Sequence, residues 1–268
     1  MQPTGVSRGP SAGNGQAPEG RKRIRALHSR VPVTRSRVSV PNFVSLHQRL
    51  RDSRWLVAAE FAIVAGLFYA DVHHHIYASK TPYLFLLGWV SLRLRGMRWK
   101  DVGFTPPRSW RNAILIGIAA GLGMELFELF VSQPLLARWL GRMPDLSDFA
   151  GMVGNLKLFL IYLVLLWTLG ALGEEIVYRG YLMNRLAGVV RNPKPAWIVS
   201  LVAISAIFGC AHLDQGSTGI IENIWDGLLL GSLYLACGRN LAAPVIAHAL
   251  MDTLDFVLIY LGKYPGMK

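Results

Sequence analysis

From Leu158 to Leu172 the chain carries no charged residue, and it then sets two carboxylates side by side, Glu174 and Glu175, with Arg179 one helical turn after the second. A helix built from that run brings two acids into or near hydrocarbon, at roughly 2.5–3.5 kcal/mol per charge on insertion scales. An ionisable group held there is a functional candidate by default. The composition agrees with a membrane chain: 52% of residues are hydrophobic and 16% charged, with a mean hydropathy of +0.35. Ordinary globular domains are about 25% charged.

Apolar stretches fall at 55–72, 82–93, 113–136, 157–173, 196–211, 220–237 and 241–262. Most approach the roughly 20 residues that a hydrocarbon core demands, so the expected fold is all-α, a polytopic helical membrane protein of about 6–8 transmembrane helices. The 82–93 stretch is short for a span. The predicted organisation is a basic tail over 1–50 and a helical membrane domain over 51–268, its catalytic half at 155–262.

Residues 1–54 hold eleven Arg or Lys against two acids, net +9 of the chain's +12, while the remaining 214 residues hold 17 basic and 14 acidic. The tail is rich in Gly, Pro and Ser and lacks apolar periodicity, so it is expected to be a disordered extension drawn to anionic lipid. Nucleic-acid binding through Arg21-Lys22-Arg23 is not expected, and neither is a cleaved signal peptide, since the basic region is too long for one. The 93–111 loop (Arg93, Arg95, Arg98, Lys100, Arg108, Arg111 against Asp101) is basic too. The positive-inside rule then makes tail and loop cytoplasmic, joined by a hairpin of the first two apolar segments. His73-His74-His75 becomes an outward, solvated turn, because consecutive residues do not converge on one ion. Cys210 and Cys237 lie in separate apolar segments and indicate neither a disulfide nor a zinc site; Cys210 reads as a small buried residue.

Three constellations carry chemistry. On a single helix over 158–186, Glu175 and Arg179 share a face at i,i+4 and can pair, whereas Glu174 is rotated by about 100° and left free. A free carboxylate in a low-dielectric site is a candidate general base. Phe208-Gly-Cys-Ala-His212 puts an aromatic ring and an imidazole one turn apart, and His248-Ala-Leu-Met-Asp252 does the same with an imidazole and a carboxylate. Each alone has a purely structural reading: a helix-gluing acid, a core histidine, a carboxylate that fixes an imidazole tautomer. A membrane bundle, however, gathers such groups in its interior, so one cavity with Glu174, His212, His248 and Asp252 around it is expected. That set suits hydrolysis by activated water, one carboxylate and one imidazole handling the water and a second imidazole with its neighbour donating to the oxyanion.

In order and spacing these residues resemble the three signatures (EExxxR, FxxxH, HxxxN/D) of the CPBP family of intramembrane proteases, also called the ABI or type II CAAX prenyl endopeptidase family. The resemblance covers about 155–262. It implies a glutamate-type endopeptidase with no cofactor and no essential metal, acting on a membrane-associated peptide or prenylated protein. Glu174 is then the base, His212 its partner, and His248 with Asp252 the oxyanion site, supported by Glu175, Arg179 and Phe208. Characterised eukaryotic members carry Asn where this chain has Asp252, so Asp252 either donates as a protonated carboxyl or orients His248.

Two other classes compete. A zinc hydrolase could use His212, His248 and a Glu, although no H-E-x-x-H pair is present. A non-enzymatic scaffold or proton-coupled transporter could use the same groups together with Glu60, Glu125, Glu128, Glu222 and Asp226, although no internal repeat supports it.

Overall fold

The computed structural model describes residues 46–51, 53–73, 76, 79–190 and 193–266. The Arg21-Lys22-Arg23 segment, nearly all of the basic tail, and His74 and His75 lie outside them. Among the described residues the chain is helical without strands, as the all-α reading requires.

Every apolar stretch forms a helix. The elements are α1 (Leu46–Arg51), α2 (Arg54–Val72), α3 (Thr81–Leu94), α4 (Trp110–Phe127), α5 (Gln133–Leu140), α6 (Leu156–Leu165), α7 (Met183–Val189), α8 (Pro193–Cys210), α9 (Gly216–Ala236) and α10 (Ala242–Tyr260). Polar side chains open three of them: Ser53, Ser109 and Asn155 accept the backbone N–H of Leu56, Asn112 and Leu158, each satisfying a donor that a helix start leaves free. α1 begins inside the stretch read as tail, and Arg51 ties it to α3 by a 2.9 Å bond from Nε to the Arg95 carbonyl.

α4 and α5 are joined by a π turn, Glu128–Ser132, and α6 and α7 by a longer π segment, Leu166–Leu182. Pro134 accounts for the first. It has no N–H to give, and its ring crowds the carbonyl four residues back, so the preceding turn widens.

The span count is lower than the sequence predicts. Among the described residues four helices are long and apolar enough to cross a membrane, Arg54–Val72, Trp110–Leu140, Leu156–Val189 and Ala242–Tyr260. A fifth is added if Pro195–Cys210 and Leu213–Ala236, bent by 63° at their junction, count as one broken span. α3 has 14 residues, too few to span alone. Trp55, Trp110 and Trp139 stand exposed near helix ends, where aromatic rings suit the membrane interface.

Small residues bring α4 and α10 together. A Cβ added at Gly117 would lie 2.7 Å from the Ile246 side chain, and one at Gly121 would lie 2.6 Å from the Ala247 carbonyl. This is the small-xxx-small seam of membrane helices, and it places the His248 turn of α10. Two expectations fail here. Arg95, counted among the loop cations, is fully buried and donates to Glu60 and to Ser91 Oγ (2.6 Å). Cys210 is exposed, because it lies two residues, about 200°, from the buried Phe208 on the same helix.

Candidate active site

Leu156–Val189 runs as one helical rod of 34 residues. Near the start of its π segment Thr168 Oγ1 donates to the Val164 carbonyl at 2.7 Å, competing with the backbone ladder at the point where the register changes. Gly170 and Gly173 weaken the α alternative further. π geometry inside a helix is a frequent companion of functional sites. Here it carries Glu174 and Glu175 into two different environments. Glu175 is fully buried, and Arg179 Nη1 donates to its Oε1 at 2.6 Å, the i,i+4 pair that the spacing predicts. The Arg179 guanidinium also sits 4.5 Å from the centre of the Phe208 ring, and its Nη2 reaches the carbonyls of Asp226 and Gly227 at 3.5 and 3.4 Å.

The same oxygen of Glu175 takes a second bond. His248 Nδ1 lies 3.0 Å from Glu175 Oε1, joining positions 73 residues apart. A carboxylate held by Arg179 can only accept, so His248 carries its proton on Nδ1 and donates it. Its other nitrogen, Nε2, faces Asp252 Oδ2 at 3.3 Å. That contact is a hydrogen bond only when one proton sits on either the nitrogen or the oxygen. His248 is therefore held at both ends by acids on two helices.

His212 occupies the break between α8 and α9. Its Nδ1 is 2.9 Å from the Phe208 carbonyl, four residues back. A carbonyl oxygen has no proton to offer, so Nδ1–H is the donor and the Nε2 of neutral His212 keeps a lone pair. Phe208, itself buried, packs edge-on against Tyr178 (4.9 Å between centroids), His212 (5.0 Å) and His248 (6.1 Å). It is the shared wall that fixes both imidazoles relative to Arg179.

Glu174, Phe208, His212, His248 and Asp252 all line one cavity of about 280 Å³. Glu175 and Arg179 stand behind it as supports. The cavity mouth includes Asp145, whose carboxyl is held below its usual range by hydrogen bonds from Ser147, first from the hydroxyl and then from the backbone N–H. Behind two other lining residues, Gln133 Nε2 donates to Glu128 Oε1 at 3.0 Å and to Tyr264 Oη at 2.5 Å. Burial pushes the Tyr264 phenol well up, so it stays protonated.

The sequence reading named Glu128, Glu222 and Asp226 only for the competing scaffold or transporter class; the fold brings all three to this cavity, along with Asp255 and Tyr264. Asp255 carried a signal that went unused, an acid three residues after Asp252 on the same apolar helix. Glu60 does not join them, since it is bound to Arg95. Among the described residues no group of three or more His, Cys, Asp or Glu side chains is placed to hold a metal ion.

Apolar helices around a buried polar cavity define an integral membrane protein of the helical polytopic class. Residues 156–254 match the model of the family described as type II CAAX prenyl endopeptidase, Rce1-like. That segment, well under half of the chain, bears out the resemblance read from the three motifs, and its similarity is to CAAX-type endopeptidases. Comparison with curated proteins and with solved structures gave no match.

Proposed function

We propose that this protein is a glutamate-type intramembrane endopeptidase that cuts a membrane-associated peptide, or a prenylated protein, within the cavity bounded by α8, α9, α10 and the π segment. The observation that carries the reading is the state of the two imidazoles. His212, its Nδ1–H committed to the Phe208 carbonyl, offers a lone pair at Nε2 and can orient water. Glu174, lining the same cavity without the Arg179 pairing that engages its neighbour, can take the proton from that water. Attack on the peptide carbonyl carbon forms the new C–O bond and puts negative charge on the carbonyl oxygen.

His248 is held in the opposite sense. Glu175 fixes its Nδ1–H, and the proton shared between Nε2 and Asp252 supplies a donor for the oxyanion, a type of contact that gains most where water is excluded. Collapse breaks the C–N bond as Glu174 returns its proton to the leaving amine. The basic balance of the tail and of Arg98, Lys100, Arg108 and Arg111 supports a cytoplasmic placement for both segments.

The test is cleavage of a membrane-embedded peptide library by the protein in nanodiscs, read by mass spectrometry. Products that appear with the native protein and vanish with Glu174→Ala support the reading. Identical products from both remove it.

A further inference from the structure

Besides the residues given catalytic roles, the cavity is lined by Glu128 from the π turn, Glu222 and Asp226 from α9 and Asp255 from α10. Asp252 adjoins them, and no Lys or Arg is among the lining residues. Arg179 is engaged by Glu175 and by carbonyls, and both nitrogens of His248 face acids. Glu222 is only 4% exposed, and its Oε1 has no hydrogen-bond partner. A buried carboxylate oxygen left unmatched is costly, and several carboxylates sharing one small, low-dielectric space cannot all ionise without a counter-charge.

We propose that this carboxyl-lined part of the cavity is a subsite for a cationic side chain, a substrate Lys or Arg next to the bond that is cut. The proposal rests on the proteolytic reading above, and it adds the substrate's chemistry. The volume favours a side chain over a larger ligand, since about 280 Å³ lies just below the usual range for small-molecule pockets, which begins at roughly 300 Å³. An ammonium or guanidinium entering there pairs with Glu222 and its neighbours by charge-assisted hydrogen bonds. An acidic side chain or a peptide α-carboxylate at the same place meets like charge and is rejected.

Binding and cleavage separate the two claims. Matched apolar peptide pools carrying Lys, norleucine or Glu at each central position are titrated by fluorescence anisotropy against the wild-type protein and against Glu174→Gln, both in nanodiscs. The Lys pool is expected to bind about tenfold more tightly than the norleucine pool, and the Glu pool more weakly than either. In Glu222→Gln the Lys advantage is expected to shrink to about twofold, and Glu222→Lys is expected to reverse the order toward the Glu pool. Asp255→Asn provides an independent variant should Glu222→Gln fail to fold. Equal binding of the three pools overturns the subsite, and so does a Lys preference that survives in both the Glu222 and Asp255 variants. Absence of cleavage in every pool counts against the protease reading, while a Lys preference in binding still supports the cation subsite.

Discussion

Glu175 and His248 meet through a 3.0 Å hydrogen bond from imidazole Nδ1 to carboxylate Oε1, and that carboxylate is the one already paired with Arg179. A buried acid thus has two duties: it neutralises Arg179, and it sets the tautomer of an imidazole on another helix. Its neighbour Glu174 has neither duty and faces the cavity. The adjacent carboxylates are therefore expected to respond differently to substitution.

Glu175→Gln leaves Arg179 buried without its counter-charge. Breaking a buried ion pair from one side typically costs about 3–5 kcal/mol. The variant is expected to express poorly and to melt well below wild type in detergent, while Glu174→Gln melts close to wild type. Equal melting of the two variants would contradict the division of roles.

The α4–α10 seam gives a matched pair of glycine substitutions. Gly121→Ala pushes a methyl into the Ala247 backbone, whereas a Cβ at Gly123 meets nothing within 4 Å. Overpacking of this kind costs about 1–3 kcal/mol, and it displaces the turn that carries His248. Gly121→Ala is expected to lower both thermal stability and peptide cleavage, and Gly123→Ala neither. Similar behaviour of the two would show that the seam does not position α10.

Much of this was legible in the chain. Seven apolar stretches became helices because length and lack of charge suffice for that, and the Glu175–Arg179 pair followed from i,i+4 spacing alone. The Glu175–His248 bond was out of reach, since it joins residues that no local periodicity relates. So was the placing of Glu128, Glu222 and Asp226, whose burial in one cavity depends on how α4, α9 and α10 cross. The shortness of α3 was visible in the 82–93 stretch, but apolar length does not reveal that the chain bends at His212 between α8 and α9. Arg95 was misread because a cation near a helix end resembles a loop charge until its acid, 35 residues earlier, is found.

Activity is expected to survive exhaustive chelation, since both nitrogens of His248 face acids, which leaves the Nε2 of His212 as the one free imidazole nitrogen among the cavity's lining residues. Metal analysis alongside a cleavage assay checks this. Stoichiometric zinc whose removal abolishes activity and whose return restores it would favour the metallohydrolase instead.

Asp252→Asn probes the shared proton. In the wild type, donation toward the oxyanion needs one proton on the His248–Asp252 pair, so the rate falls once rising pH removes it. An amide donates at any pH. The variant is expected to keep its activity further into the alkaline range, read from parallel pH–rate profiles. A rate reduced at every pH would leave Asp252 as an orienting group alone.

The central claim is that Glu174 takes the proton from the attacking water. Its most direct measurement is the turnover of Glu174→Gln against wild type, on a peptide the native protein cuts, with thermal melting recorded on the same samples. The account predicts a loss of about 10²–10⁴-fold in kcat, the usual effect of removing a general base, with melting unchanged. Turnover equal to wild type in a folded Glu174→Gln protein would contradict it.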